Sequence, residues 1–155
     1  MPRAETTIVL HAPVRRVWDF LRQPANVVAV TPPELQLTVV EAPDVLSLGS
    51  RIVVQVRRFG IAQRIVSEVT ALVPEALLVD EQRQGPFGKF VHTHRLEPVA
   101  EGTRMTDEIE FEPPAGLLGL VLSANRIRQE LEAAFDYRMK RFRELLETKP
   151  PESSG

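Results

Sequence analysis

The feature that most limits what this chain can fold into is an apolar stripe near its C-terminus. Between about Leu117 and Leu146, the residues Leu120, Ala124, Ile127, Leu131, Phe135, Arg138, Phe142 and Leu145 recur at steps of three and four. One helical face is therefore apolar at each of these positions except Arg138. The opposite face carries Arg126, Arg128, Glu130, Glu132, Asp136, Lys140, Arg141, Arg143 and Glu144, a water-facing pattern. A helix over this stretch reaches roughly 40 Å at ~1.5 Å per residue. Its stripe needs a wide partner.

The rest of the chain supplies that partner as a run of strands. Glu5 to Leu10 is rich in Thr, Ile and Val, and His11-Ala12-Pro13 places a proline where a helix begins. Val14, Val17, Trp18 and Leu21 share one face of that short helix, which Pro24 stops, and Trp18 reads as a packing residue. Asn26 to Val30 adds a second short helix before Thr31-Pro32-Pro33. Strands are expected at Leu35 to Glu41, Arg51 to Arg58, Ala62 to Leu72, Leu77 to Gln84, Lys89 to Pro98 and Thr103 to Glu112. Turns at Phe59-Gly60, Pro74-Glu75, Gly85 to Gly88 and Glu101-Gly102 separate the last five of these. Turns this short imply antiparallel neighbours. The expectation is an α+β fold: a seven-stranded antiparallel sheet curved around a long C-terminal helix, with two short helices between strands 1 and 2. One domain spans 5–147, and 148–155 forms a polar, proline-rich tail.

Composition narrows the function classes. With 19 basic and 21 acidic side chains, nothing draws the chain to nucleic acid or anionic lipid in general. The absence of cysteine removes disulfides, thiolate metal sites and cysteine nucleophiles. No stretch approaches the ~18 apolar residues of a membrane span, and no apolar leader stands at the start, so a cytoplasmic location is the default. Phosphate-binding glycine loops, nucleophile motifs and zinc signatures are missing; no cofactor or metal is assigned.

His-Ala-Pro-Val-x-x-Val-Trp-Asp-Phe-Leu at 11–21, Thr31-Pro32-Pro33, Gly102-Thr103 at the last strand and the long final helix together resemble the START-like superfamily. That group includes polyketide cyclases and dehydratases, the birch pollen allergen family and lipid-transfer START domains. The resemblance covers about residues 5 to 147. Asp80-Glu81-Gln82, Gly85-Pro86-Phe87, His92-x-His94 and Tyr137-Arg138 look more specifically like small bacterial members of unassigned activity. The resemblance implies a helix-grip fold around a hydrophobic pocket, and it does not imply one function.

Register reasoning finds a polar cluster inside this pocket. If Val99 to Gly102 closes the last hairpin, Pro98 faces Thr103, and Leu96, His94, His92 and Phe90 lie opposite Met105, Asp107, Ile109 and Phe111. The apolar members mark this face as the inner one. Counting on through the Gly85 to Gly88 loop puts Glu81 opposite His92, whereas one added loop residue would turn Asp80 and Gln82 inward instead. Three uses of the cluster compete. It is a hydrogen-bonded structural set, a recognition element for a polar group on an apolar ligand, or a centre of acid-base or metal chemistry built on His92, His94 and Asp107. The expected ligand contacts are Glu81, Phe90, His92, His94, Met105, Asp107, Ile109, Phe111, Leu120, Ile127 and Leu131. Arg138, on the apolar stripe, needs an acidic or carbonyl partner or a place at the cavity rim. Gly116 and Gly119 weaken the start of the long helix, so 116–122 is expected to act as a lid.

The functional expectation is carriage or sensing of a small hydrophobic molecule. The alternatives are a cyclase or dehydratase using the His/Asp cluster, and a module that meets a protein partner or a second copy of itself.

Overall fold

The computed structural model describes residues 2–58, 61–116 and 123–147. The expected Phe59-Gly60 turn, Leu120 with nearly all of the proposed lid, and the 148–155 tail lie outside the described residues. Seven strands form one antiparallel sheet: β1 Arg3–Leu10, β2 Thr38–Glu41, β3 Arg51–Arg58, β4 Ile61–Val73, β5 Leu77–Gln84, β6 Lys89–Val99 and β7 Gly102–Glu112. They stand in the order β1-β7-β6-β5-β4-β3-β2. Helix α1, Val14–Leu21, and a 3-10 helix, Pro24–Val30, lie between β1 and β2, with a further 3-10 turn at Pro33–Leu35. The second short helix is thus 3-10, and β2 is shorter than Leu35 to Glu41 because that turn occupies its expected start.

Helix α2 runs Ala124–Leu146, roughly 34 Å at 1.5 Å per residue. The Ser123 hydroxyl caps its start by accepting from the Arg126 backbone N–H at 3.2 Å. The buried stripe is Ile127, Phe135, Met139, Phe142 and Leu146. Among the described residues the expected stripe is correct from Ala124 to Phe142 and then one residue out of phase, because steps of four, three and four from Phe135 carry the core contact to Leu146. Leu145 is left exposed.

Sheet curvature comes from register shifts in β4 against β5, at Val66/Ser67 and Val69/Ala71, and in β2 against β3 at Val39/Glu41. Such bulges bend and twist a strand pair. Beside the second shift, on the opposite edge of β4, the chain before β3 extends the pairing: Val69 donates to the Ser50 carbonyl at 2.9 Å and accepts from the Gly49 N–H at 2.8 Å. That contact brings Leu46, buried, over the sheet.

The β6–β7 hairpin has the expected register throughout, from Val99 opposite Gly102 to Phe90 opposite Phe111. Its tip is seated on the β1–α1 junction. The Thr103 hydroxyl donates to the Ala12 carbonyl at 2.8 Å in the interior, and a Cβ on Gly102 would stand 2.2 Å from the Leu10 carbonyl oxygen. The His11-Ala12-Pro13 and Gly102-Thr103 motifs are therefore two halves of one contact.

Among the described residues the interior splits into two apolar clusters. One joins Leu10, Val17, Trp18, Val69, Met105, Phe142 and their neighbours beneath α1. The other joins Ala4, Ile109, Phe111, Ile127 and Phe135, with Phe87, Phe90 and Leu131 packed against it. No helix among the described residues is long and apolar enough to cross a membrane.

Candidate functional site

Between the two clusters lies a polar group drawn from three elements. Asp107, on β7, is fully buried. Its Oδ1 faces His94 Nδ1 at 2.5 Å and His92 Nε2 at 3.3 Å, and its Oδ2 accepts from Arg138 Nε at 2.9 Å. The strand period puts His92 and His94 on one face of β6, and the hairpin register sets His94 directly across from Asp107. Arg138 reaches down from α2 with its guanidinium 4.7 Å above the Phe142 ring, so the one charge on the apolar stripe is both paired and packed. An unpaired carboxylate here would be costly; this one is satisfied on both oxygens.

A fifth member, Asp80, comes from a fourth element, β5. The register of β5 against β6 sets Asp80 opposite His92, while Glu81 pairs with Val91 on the outer face. The expected inward position of Glu81 is therefore corrected by one residue. The cause is local: the Gln82 side chain turns back on the hairpin, donating to the Phe87 carbonyl at 2.8 Å and accepting from the Phe87 N–H at 3.4 Å. The ladder stops at Glu81 and Val91, and the symmetrical four-residue loop assumed for Gly85 to Gly88 does not form. Asp80 Oδ2 comes to 3.7 Å from His94 Nε2.

Electrostatics separate the two histidines. For His94, burial favours the neutral ring, but the Asp107 charge and hydrogen bonds to Asp107 and Asp80 outweigh it, so the pKa is raised above 6.5. For His92, burial and the neighbouring His94 charge win over Asp107, and the pKa is lowered. The two rings lie 3.9 Å apart between centroids, tilted by 36°, which makes simultaneous protonation costly. Asp107 stays ionised: burial pushes its carboxyl up, but Arg138 and His94 hold it well below the usual carboxylate range.

This cluster forms one wall of a cavity of about 230 Å³. His92, His94, Asp80 and Arg138 contribute the charged and imidazole groups, and the remaining lining is largely apolar: Phe20, Val27 and Val30 from the short helices, Ile52, Val54 and Ile65 from β3 and β4, with Leu46, Leu78, Phe90 and Phe142. Its roof is therefore the pair of short helices more than α2, which adds only Arg138 and Phe142. Two contacts fasten that roof: Arg141 Nε donates to the Ala29 carbonyl at 2.9 Å, and the Phe20 and Phe142 rings meet edge to face at 5.2 Å.

Among the residues expected to touch ligand, Phe90, His92 and His94 line the cavity, and Asp107 holds the histidines from behind. Met105 belongs to the first apolar cluster, and Ile109, Phe111, Ile127 and Leu131 to the second, away from the cavity wall. The lining from the short helices was not expected. Its signal in the sequence was the apolar pair Val27 and Val30, three residues apart in the segment read as a second short helix.

A family described as polyketide cyclase / dehydrase and lipid transport matches residues 1–147. No curated protein matches the chain. Solved structures share its fold. A Chromobacterium violaceum protein is 19% identical, with TM-score 0.75, and the alignment covers 96% of this chain and all of that one. A Mycobacterium smegmatis protein is 19% identical, with TM-score 0.65, over 92% and 89%. An aromatase/cyclase from a Streptomyces species is 20% identical, with TM-score 0.65, over 90% and 87%.

Proposed function

We propose, for a chain that belongs to the polyketide cyclase/dehydrase and lipid transport family, that it binds a small, mostly apolar molecule whose polar end meets His92, His94 and Arg138. The observation that carries this reading is the cavity: about 230 Å³, apolar on most sides, with its polar groups gathered on one wall. Ligand sites have this composition. An apolar cavity of about 150 Å³ takes up benzene, so the volume suits a molecule of one or two rings. A long acyl chain would need the cavity to enlarge.

The test is native mass spectrometry of purified protein together with titration of 1-naphthol. One small molecule carried per chain, or saturable naphthol binding that Ile65→Phe abolishes by filling the cavity, is the expected result. No carried molecule and no saturable binding would sink the reading.

A cyclase-type activity is the second reading, and the His94–Asp107 pair favours it. Asp107 takes the proton-bearing Nδ1 of His94, which leaves Nε2 on the cavity wall as the proton-exchanging atom. An aromatase/cyclase is among the structural neighbours. Deuterium exchange at carbon next to the carbonyl of a bound cyclic ketone, lost in His94→Gln, would support it; exchange at the solvent rate would count against it.

A further inference from the structure

The geometry points to a divalent transition-metal site on the cavity wall, with Asp80, His92 and His94 as ligands and Asp107 behind them as the orienting carboxylate. One ligand atom from each of the three side chains lies within 4.8 Å of the others. Bond lengths of about 2.0–2.2 Å set two ligands of one tetrahedral ion roughly 3.3 to 3.6 Å apart. The 3.7 Å between Asp80 Oδ2 and His94 Nε2 lies just above that range. Asp80, whose side chain is 23% exposed, is the ligand with most room to move towards an ion held by the histidines.

The surroundings have the form that metal-binding histidines require. A ligating imidazole donates its other N–H to a carboxylate, which fixes the tautomer and aims the free nitrogen. Asp107 does this for His94 through Nδ1 at 2.5 Å and meets His92 Nε2 at 3.3 Å, and Arg138 clamps the second oxygen of the same carboxylate. Arg138 and Asp107 offset one another, and Asp80 supplies the carboxylate that a cation displacing the His94 proton would meet. Two imidazoles and one carboxylate suit zinc or iron(II), and three protein ligands leave coordination positions open towards the cavity. The carboxylate in the ligand set is Asp80, a residue that the strand register alone brings to the histidines. The inference goes beyond binding of an apolar molecule and does not depend on it.

The test uses tag-free protein, stripped with chelator and titrated with cobalt(II) alone. One cobalt per chain is expected, with the visible absorption of a four- or five-coordinate ion. Asp80→Asn and His92→Gln should each weaken it at least ~10-fold, since even the loss of an outer-shell partner costs about 10–100-fold. Thermal melts establish that the variants fold, and should either fail to, the wild-type stoichiometry and spectrum decide. Absence of saturable binding below 1 mM cobalt, a purely octahedral spectrum, or binding unchanged in Asp80→Asn and His92→Gln would overturn the site. Naphthol titration of the same samples separates the two ideas: naphthol bound without cobalt sinks the metal site alone, and cobalt bound without naphthol sinks the apolar-ligand reading alone.

Discussion

Arg138 on α2 donates to Asp107 on β7 at 2.9 Å, and this single ion pair crosses the interior from helix to sheet at the level where the apolar core divides in two. It makes a charge on an apolar stripe tolerable and fixes both histidines through one carboxylate.

Removing one partner should be far worse than removing both. Arg138→Met leaves the Asp107 carboxylate buried without its cation, and breaking a buried pair from one side costs about 3–5 kcal/mol. Asp107→Leu alone strands the guanidinium, whose side chain is only 11% exposed. The double variant Arg138→Met with Asp107→Leu is expected to recover at least half of the summed single-variant losses in urea unfolding. Strict additivity would show that the two side chains act independently.

Sequence periodicity made most of this fold legible. The β6–β7 register followed from one hairpin count, because a strand pair with one buried face tolerates no slip, and it correctly set His94 opposite Asp107. That Arg138 needs an acidic or carbonyl partner or a place at the cavity rim followed from its position on the stripe, and it has both Asp107 and a place in the cavity lining. What stayed hidden depended on side-chain events within turns. Gln82 folding back on Phe87 is a choice among local hydrogen bonds that no periodicity reports, and it exchanged Glu81 for Asp80 in the site. The cavity likewise formed under the short helices, since Ile127, Leu131 and Phe135 fill the space along the first half of α2 with packed side chains.

The corrected phase of α2 gives a paired prediction. Phe135 is buried in the second cluster with its ring 6.0 Å from His92, whereas Leu145 is exposed. Phe135→Ala should cost about 3–5 kcal/mol, and Leu145→Ala should stay within about 0.5 kcal/mol of wild type. Chemical denaturation of the two variants checks the difference; equal losses would return the stripe to Leu145.

Stability should depend on pH through His94. Its folded-state pKa is raised above 6.5, so the protonated ring stabilises the fold fully below pH 6.5 and that contribution is lost as pH rises through the folded value. His92 has the opposite sign: its pKa is lowered, so stability is lost as pH falls from 6.5 towards its folded value. Comparing wild type with His94→Gln isolates the first effect. The wild-type advantage in unfolding free energy should shrink as pH rises above 6.5, and an advantage that grows instead would reverse the assignment.

The seat of the last hairpin on the first helix gives the sharpest backbone prediction. Gly102 has φ +142°, a conformation that side-chain-bearing residues rarely adopt. A Cβ there would meet backbone on two sides, 2.2 Å from the Leu10 carbonyl oxygen and 2.9 Å from the Ala12 nitrogen. Neither neighbour can rotate away, because Leu10 is held in the β1–β7 ladder opposite Thr103 and the Ala12 carbonyl accepts from the Thr103 hydroxyl. Gly102→Ala should therefore destabilise by more than ~1 kcal/mol. Thr103→Val, which keeps the shape and removes the donor, should cost about 1–3 kcal/mol for the buried carbonyl left without its partner. Thermal melts of both variants, with far-ultraviolet circular dichroism to confirm the fold, check the order. A Gly102→Ala protein as stable as wild type would mean that the hairpin tip does not sit against Leu10 and Ala12.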